Sequence, residues 1–190
     1  MFAIVLLFAL VIGAWSCVYA AESPTTRPTT QPANRGPELT VAFPLKKPLM
    51  IAYKDLGFTV LSNKLDDDGA SRDYQAYSGG TASRVRVHME RGEKAGDTAA
   101  RVRDVYWAET KKQDVQENIK DEKFVDIGEF AAVEYTVAVG SRTSIKGYAL
   151  FSAREGVWLD IRLEKVIFAE KDRDTLESLA RSVRVAPALP

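Results

Sequence analysis

Val157-Trp158-Leu159-Asp160-Ile161-Arg162-Leu163-Glu164 alternates without a break between an aliphatic row and a row that is charged apart from Trp158. Side chains of a strand point alternately to its two faces, so this stretch predicts a strand with one buried and one mixed polar face. The same period recurs over residues 83–90, with Val85, Val87 and Met89 against Arg84, Arg86, His88 and Glu90. It recurs again where Ala131, Val133, Tyr135, Val137 and Val139 stand opposite Glu134 and Thr136. One apolar and one polar face per strand is the pattern of a half-buried antiparallel sheet.

Outward from these strands, weaker ones are predicted at residues 39–43, 49–53, 58–62, 73–77 and 146–152, with a short final piece at 183–185. Gly79-Gly80, Gly140-Ser141 and Arg154-Glu155-Gly156 mark the clearest turns. Two stretches change to helical period. Asp97 is placed to cap a helix over 98–112, with Val102, Val105, Tyr106 and Ala108 at helical spacing and Lys111 and Lys112 at its negative end. A second helix is expected over 172–182, with Leu176, Leu179 and Ala180 at helical spacing and Val183 continuing that spacing just past its end. The fold class is therefore α+β: an antiparallel sheet whose apolar face is covered by both helices, leaving the mixed face open. With that face open, reversing the charges of Arg86 and Arg162 is expected to leave folding intact and to weaken binding.

The organisation along the chain follows composition. Residues 1–20 contain no charged side chain, and an apolar run from Phe2 to Trp15 precedes Val18-Tyr19-Ala20. A run of about fourteen residues suits a signal-peptide core better than a span, which needs about 20. A signal segment over 1–20, cleaved after Ala20, is expected; an uncleaved anchor and lipid attachment at Cys17 are the alternatives. Residues 21–38 hold four prolines and four threonines and no large apolar side chain, the composition of an unfolded linker. One domain over 39–186 and a tail over 187–190 complete the division.

Charge excludes one class of function. Lys plus Arg and Asp plus Glu both number 26 among the 190 residues, a net charge of zero, and the signs are intermixed. Nothing there predicts a nucleic-acid partner. Cys17 is the only cysteine and His88 the only histidine, so no cysteine–histidine zinc site is expected. Asp66-Asp67-Asp68-Gly69 lacks the alternation of a calcium loop and reads as a solvated turn. Trp107 and Trp158 fall outside the apolar rows; each is either packed under a second layer or exposed as an anchor for a partner.

The succession of Phe124-Val125-Asp126-Ile127-Gly128-Glu129-Phe130-Ala131-Ala132-Val133-Glu134-Tyr135, then Gly147-Tyr148-Ala149-Leu150-Phe151 and Gly156-Val157-Trp158-Leu159-Asp160-Ile161, then Leu179-Ala180-Arg181-Ser182-Val183-Arg184-Val185, resembles the PsbP-like and DcrB-like α/β-sandwich domains, many of them exported. The resemblance covers residues 50–185. It implies a binding or assembly role, usually non-enzymatic, and carries no catalytic residue onto this sequence.

The expected function is thus an exported, periplasmic or otherwise extracytoplasmic, binding module without cofactor or metal. Its partner would be an envelope protein or a small ligand, and it would meet a membrane only through an uncleaved or lipidated N-terminal segment. Candidate partner-binding residues are Arg84, Arg86, Glu134, Asp160, Arg162 and Trp158. Two rivals remain: an envelope hydrolase using carboxylates of the polar sheet face, and a membrane-anchored structural protein.

Overall fold

The computed structural model describes residues 38–46, 48–92, 96–112, 118–140 and 143–187. The signal segment, Cys17 and nearly all of the linker lie outside the described residues. Strands β1 (Glu38–Phe43), β2 (Leu49–Lys54), β3 (Thr59–Leu65), β4 (Ser71–Ser78) and β5 (Ser83–Arg91) precede helix α1 (Ala99–Lys112). Strands β6 (Ile119–Ile127), β7 (Phe130–Val139), β8 (Thr143–Arg154) and β9 (Val157–Lys165) follow, then helix α2 (Arg173–Ser182) and strand β10 (Arg184–Pro187). Seven strands form an antiparallel sheet in the order β3-β4-β5-β9-β8-β7-β6, and β1-β2-β10 form a second, three-stranded sheet. The α+β class read from the alternation is the observed one.

The aliphatic rows face one way. Val85, Val87 and Met89 of β5 and Leu159, Ile161 and Leu163 of β9 join Leu176, Leu179 and Ala180 of α2 in the main core. The small sheet contributes Val41, Phe43, Ile51, Tyr53 and Val185 to the same core. Tyr53 and Tyr74 bring their hydroxyls together at 2.7 Å across it, satisfying two polar atoms that would otherwise be buried alone.

The other helix corrects the expected layering. α1 lies on the mixed face, not the aliphatic one: Val102 and Trp107 pack on Val133, Tyr135, Ala149, Phe151 and Trp158. The cause is in β7 and β8. Ala132 and Leu150 face the main core while Val133, Tyr135, Ala149 and Phe151 face α1. These strands are apolar on both faces, so both must be covered. The helix stripe shifts accordingly: Trp107 is buried and Val105 is exposed.

Three local features differ from the sequence reading. β6 was not expected, because Ile119-Lys120-Asp121-Glu122-Lys123 is a charged stretch; it pairs with β7 through an irregular register, with Asp121 in the left-handed region at φ 53°. Such bulges and charges are usual at a sheet edge. The cap of α1 is Thr98, whose Oγ1 accepts the Arg101 N–H at 3.2 Å, while Asp97 accepts from Trp158. β1 begins at Glu38, assigned above to the linker, and Glu38 pairs with Arg184 of β10. The acidic run is the β3–β4 turn, as expected: Asp66 and Asp68 accept the Ser71 and Ala70 N–H groups at 2.8 and 2.9 Å.

Candidate functional site

The alternation that builds β9 sends Trp158, Asp160, Arg162 and Glu164 to the α1 side. Cross-strand pairing then lines up Glu164 with Arg84, Arg162 with Arg86 and Asp160 with His88. β4 continues the rows with Tyr77, Gln75 and Asp73. α1 packs on β7, β8 and β9. The polar face is thus divided: one half lies under the helix, and the half made by β4 and β5 is open beside it.

Glu164 is the pivot of the covered half. Its side chain is 4% exposed. Oε2 accepts from Arg84 Nε at 2.7 Å, with Arg84 Nη2 in ion-pair contact at 2.7 Å, and Oε1 accepts from Arg86 Nη2 at 2.9 Å and the Tyr135 hydroxyl at 2.7 Å. Burial pushes the carboxyl upward, but the Arg86 and Arg84 charges and the Tyr135 hydrogen bond outweigh it and hold Glu164 below its ordinary range. Tyr135 is pushed well above the usual phenol value, by burial first and then by the Glu164 charge, so it remains a neutral donor. Its hydroxyl reaches Glu164 by crossing Gly147, which sits between the two in register. A Cβ on Gly147 would lie 2.8 Å from Tyr135 Cζ, so this crossing requires glycine.

Arg162 fastens the sheet to the helix. Its Nε lies 3.1 Å from both oxygens of Asp160, and its Nη2 donates to Asp160 Oδ2 at 2.8 Å and to Thr110 Oγ1 of α1 at 2.6 Å. The guanidinium also lies 5.9 Å from the Trp107 ring centroid. Trp158 is buried and donates Nε1 to Asp97 Oδ2 at 2.9 Å. At the helix flank, His88 Nδ1 lies 2.8 Å from Asp73 Oδ1, and the Tyr106 hydroxyl donates to Glu90 Oε1 at 2.5 Å.

The solution structure of cyanobacterial PsbP (CyanoP) from Synechocystis sp. PCC 6803 matches this architecture with a TM-score of 0.51 and 16% sequence identity, over 84% of this chain and 98% of that chain. The chain has a PsbP-like fold. Neither the protein-family models nor the curated protein sequences give a match. The structural likeness supports the PsbP-like part of the sequence resemblance and not the DcrB-like part. At this identity it speaks for the fold and transfers no side-chain role.

Within the PsbP-like fold, the six candidate residues do not share one open surface. Arg84 and Arg86 stand on the open half, with side chains 29% and 43% exposed. Asp160, Arg162 and Trp158 share their face but lie under α1, so the expectation of an accessible row is corrected for them. Glu134 is on the opposite face, paired with Lys146 Nζ at 2.6 Å and 3.7 Å from Arg173 of α2. Its alternation with Val133 and Tyr135 holds, but its row meets the α2 side because β7 is apolar on both faces. Between the open strands and the flank of α1 runs a cleft of about 360 Å³, lined by Arg86, His88, Asp73, Gln75, Tyr106 and Thr110 among others. Of the residues lining it, Arg86, Asp160 and Arg162 were singled out from the sequence as binding residues. Tyr106 and Thr110 become visible only once α1 is known to sit on the polar face.

Proposed function

We propose that this chain is an exported, non-catalytic binding or assembly module. It would act outside the cytoplasm, on an envelope protein or a small ligand, through the open half of the polar sheet face beside α1. The observation that carries this reading is the division of that face. Its buried half is closed by ion pairs and α1, while its open half keeps partly exposed arginines beside a cleft. The PsbP-like fold and the apolar run that precedes Val18-Tyr19-Ala20 support it further.

The hydrolase rival is less well supported by the same geometry. Acid–base work needs a carboxyl that is free to exchange a proton with substrate. Glu164 is held ionised, with both oxygens already accepting hydrogen bonds, and Asp160 is occupied on both oxygens by Arg162.

The test is expression of the full chain with a C-terminal tag in its own cells, followed by fractionation, mass spectrometry of the N-terminus and identification of co-purifying material. A mature N-terminus at Ala21 in an extracytoplasmic fraction is expected, with a partner whose recovery falls when Arg84→Glu is introduced. Cytoplasmic recovery with an intact Met1, or substrate turnover by the purified chain, would contradict the reading.

A further inference from the structure

The cleft beside α1 contains a like-charge pair. Arg86 of β5 and Arg162 of β9 stand directly opposite each other. Like charges in directly opposed positions destabilise a sheet. The neighbouring pairs in the same register, Arg84 with Glu164 and His88 with Asp160, do not repeat that conflict.

The local charges explain part of it. Asp160 neutralises Arg162. Glu164 is shared by Arg84 and Arg86, two cations on one carboxylate, which leaves one positive charge over. Arg84 commits both Nε and Nη2 to Glu164, whereas Arg86 commits Nη2 alone. Arg86 Nε is buried with no hydrogen-bond partner among the described residues. The surplus therefore sits on Arg86, whose half-exposed side chain lines the cleft. Of the nearby carboxylates, Glu109 is ion-paired with Lys112, while Asp73 and Glu90 are hydrogen-bonded to His88 and Tyr106 and keep their negative charge.

Resting on the binding-module reading above, we propose that this cleft is a ligand site for a small hydroxylated monocarboxylate, its carboxylate paired with Arg86. A planar guanidinium fork matches a carboxylate, and Arg86, which shares Glu164 with Arg84, has charge left to pair with one carboxylate. Asp73, Glu109 and Asp160 in the walls disfavour a dianion, and Asp73 and Glu109 offer acceptors for hydroxyl groups. Gln75 and Thr110 add neutral polar groups, and Tyr106 adds a ring. A volume of about 360 Å³ suits a small molecule, since ligand clefts start at about 300 Å³.

The probe is gluconate, a hydroxylated monocarboxylate, with sorbitol as its uncharged counterpart and inorganic phosphate as the competing oxyanion. Each is titrated at low salt into the ¹⁵N-labelled full chain while the arginine Nε–Hε signals are followed, the Arg86 signal being assigned by its loss in Arg86→Lys. The expected result is a saturable shift of the Arg86 signal with gluconate, none with sorbitol, and weaker binding of phosphate. Arg86→Lys, which retains the charge beside Glu164, should weaken gluconate binding by about tenfold through loss of the fork. Absence of a saturable shift, tighter binding of phosphate, or unchanged affinity in a folded Arg86→Lys protein would overturn the proposal. If gluconate fails to bind while an envelope protein is still captured, the carboxylate class falls and the binding-module reading stands. If gluconate binds and is chemically converted, the carboxylate class stands and the non-catalytic reading falls.

Discussion

At the scale of single residues, the stability of the polar layer turns on Glu164. A buried carboxylate is tolerated here because three hydrogen bonds and two guanidinium charges replace its water. Glu164→Gln leaves two arginines facing one neutral amide and is expected to cost about 3 kcal/mol, the low end for a broken buried pair because Arg86 retains access to solvent. The pH dependence has a definite sign. The folded-state value of Glu164 lies below its ordinary 4.5, so its contribution is fully present above pH 4.5 and is lost as pH falls through the depressed value. Urea melts of both proteins should differ most at neutral pH and converge in acid. A difference that grows on acidification would show that Glu164 is protonated in the native protein.

At the scale of elements, α1 rests on its own small cluster rather than on the main core. Trp107 supplies its largest buried contact, with the ring 5.2 Å from that of Tyr135. Trp107→Ala should cost about 3–5 kcal/mol. In native-state hydrogen exchange, that loss should appear first in α1, while β5 and β9 remain protected by the aliphatic face. Simultaneous deprotection of helix and sheet would show a single core instead. Legibility in the sequence follows the same division. β5 and β9 could be read because each has one aliphatic row, and α2 because its stripe has one place to bury. β7 and β8 are apolar on both faces, so period two does not say which row meets which layer, and Glu134 was assigned to the wrong side. β6 was hidden by its edge-strand charges. Arg84 and Arg86 were legible as polar-face residues, whereas the burial of Asp160, Arg162 and Trp158 depends on a tertiary contact that no local pattern encodes.

At the scale of the whole molecule, three layers divide the work. The small sheet and α2 close the aliphatic face, α1 closes half of the polar face, and the remaining half is left to solvent beside the cleft. Both proposals about function depend on that half-cover. It is tested most directly by labelling the native full chain with an arginine-specific dicarbonyl reagent and mapping the modified sites by mass spectrometry. Arg86 is 43% exposed and Arg162 is 16% exposed and clamped between Asp160 and Thr110. The structure predicts early modification of Arg86 and protection of Arg162 until the protein is denatured. Equal labelling of the two in the native protein, or labelling of Arg162 first, would contradict it.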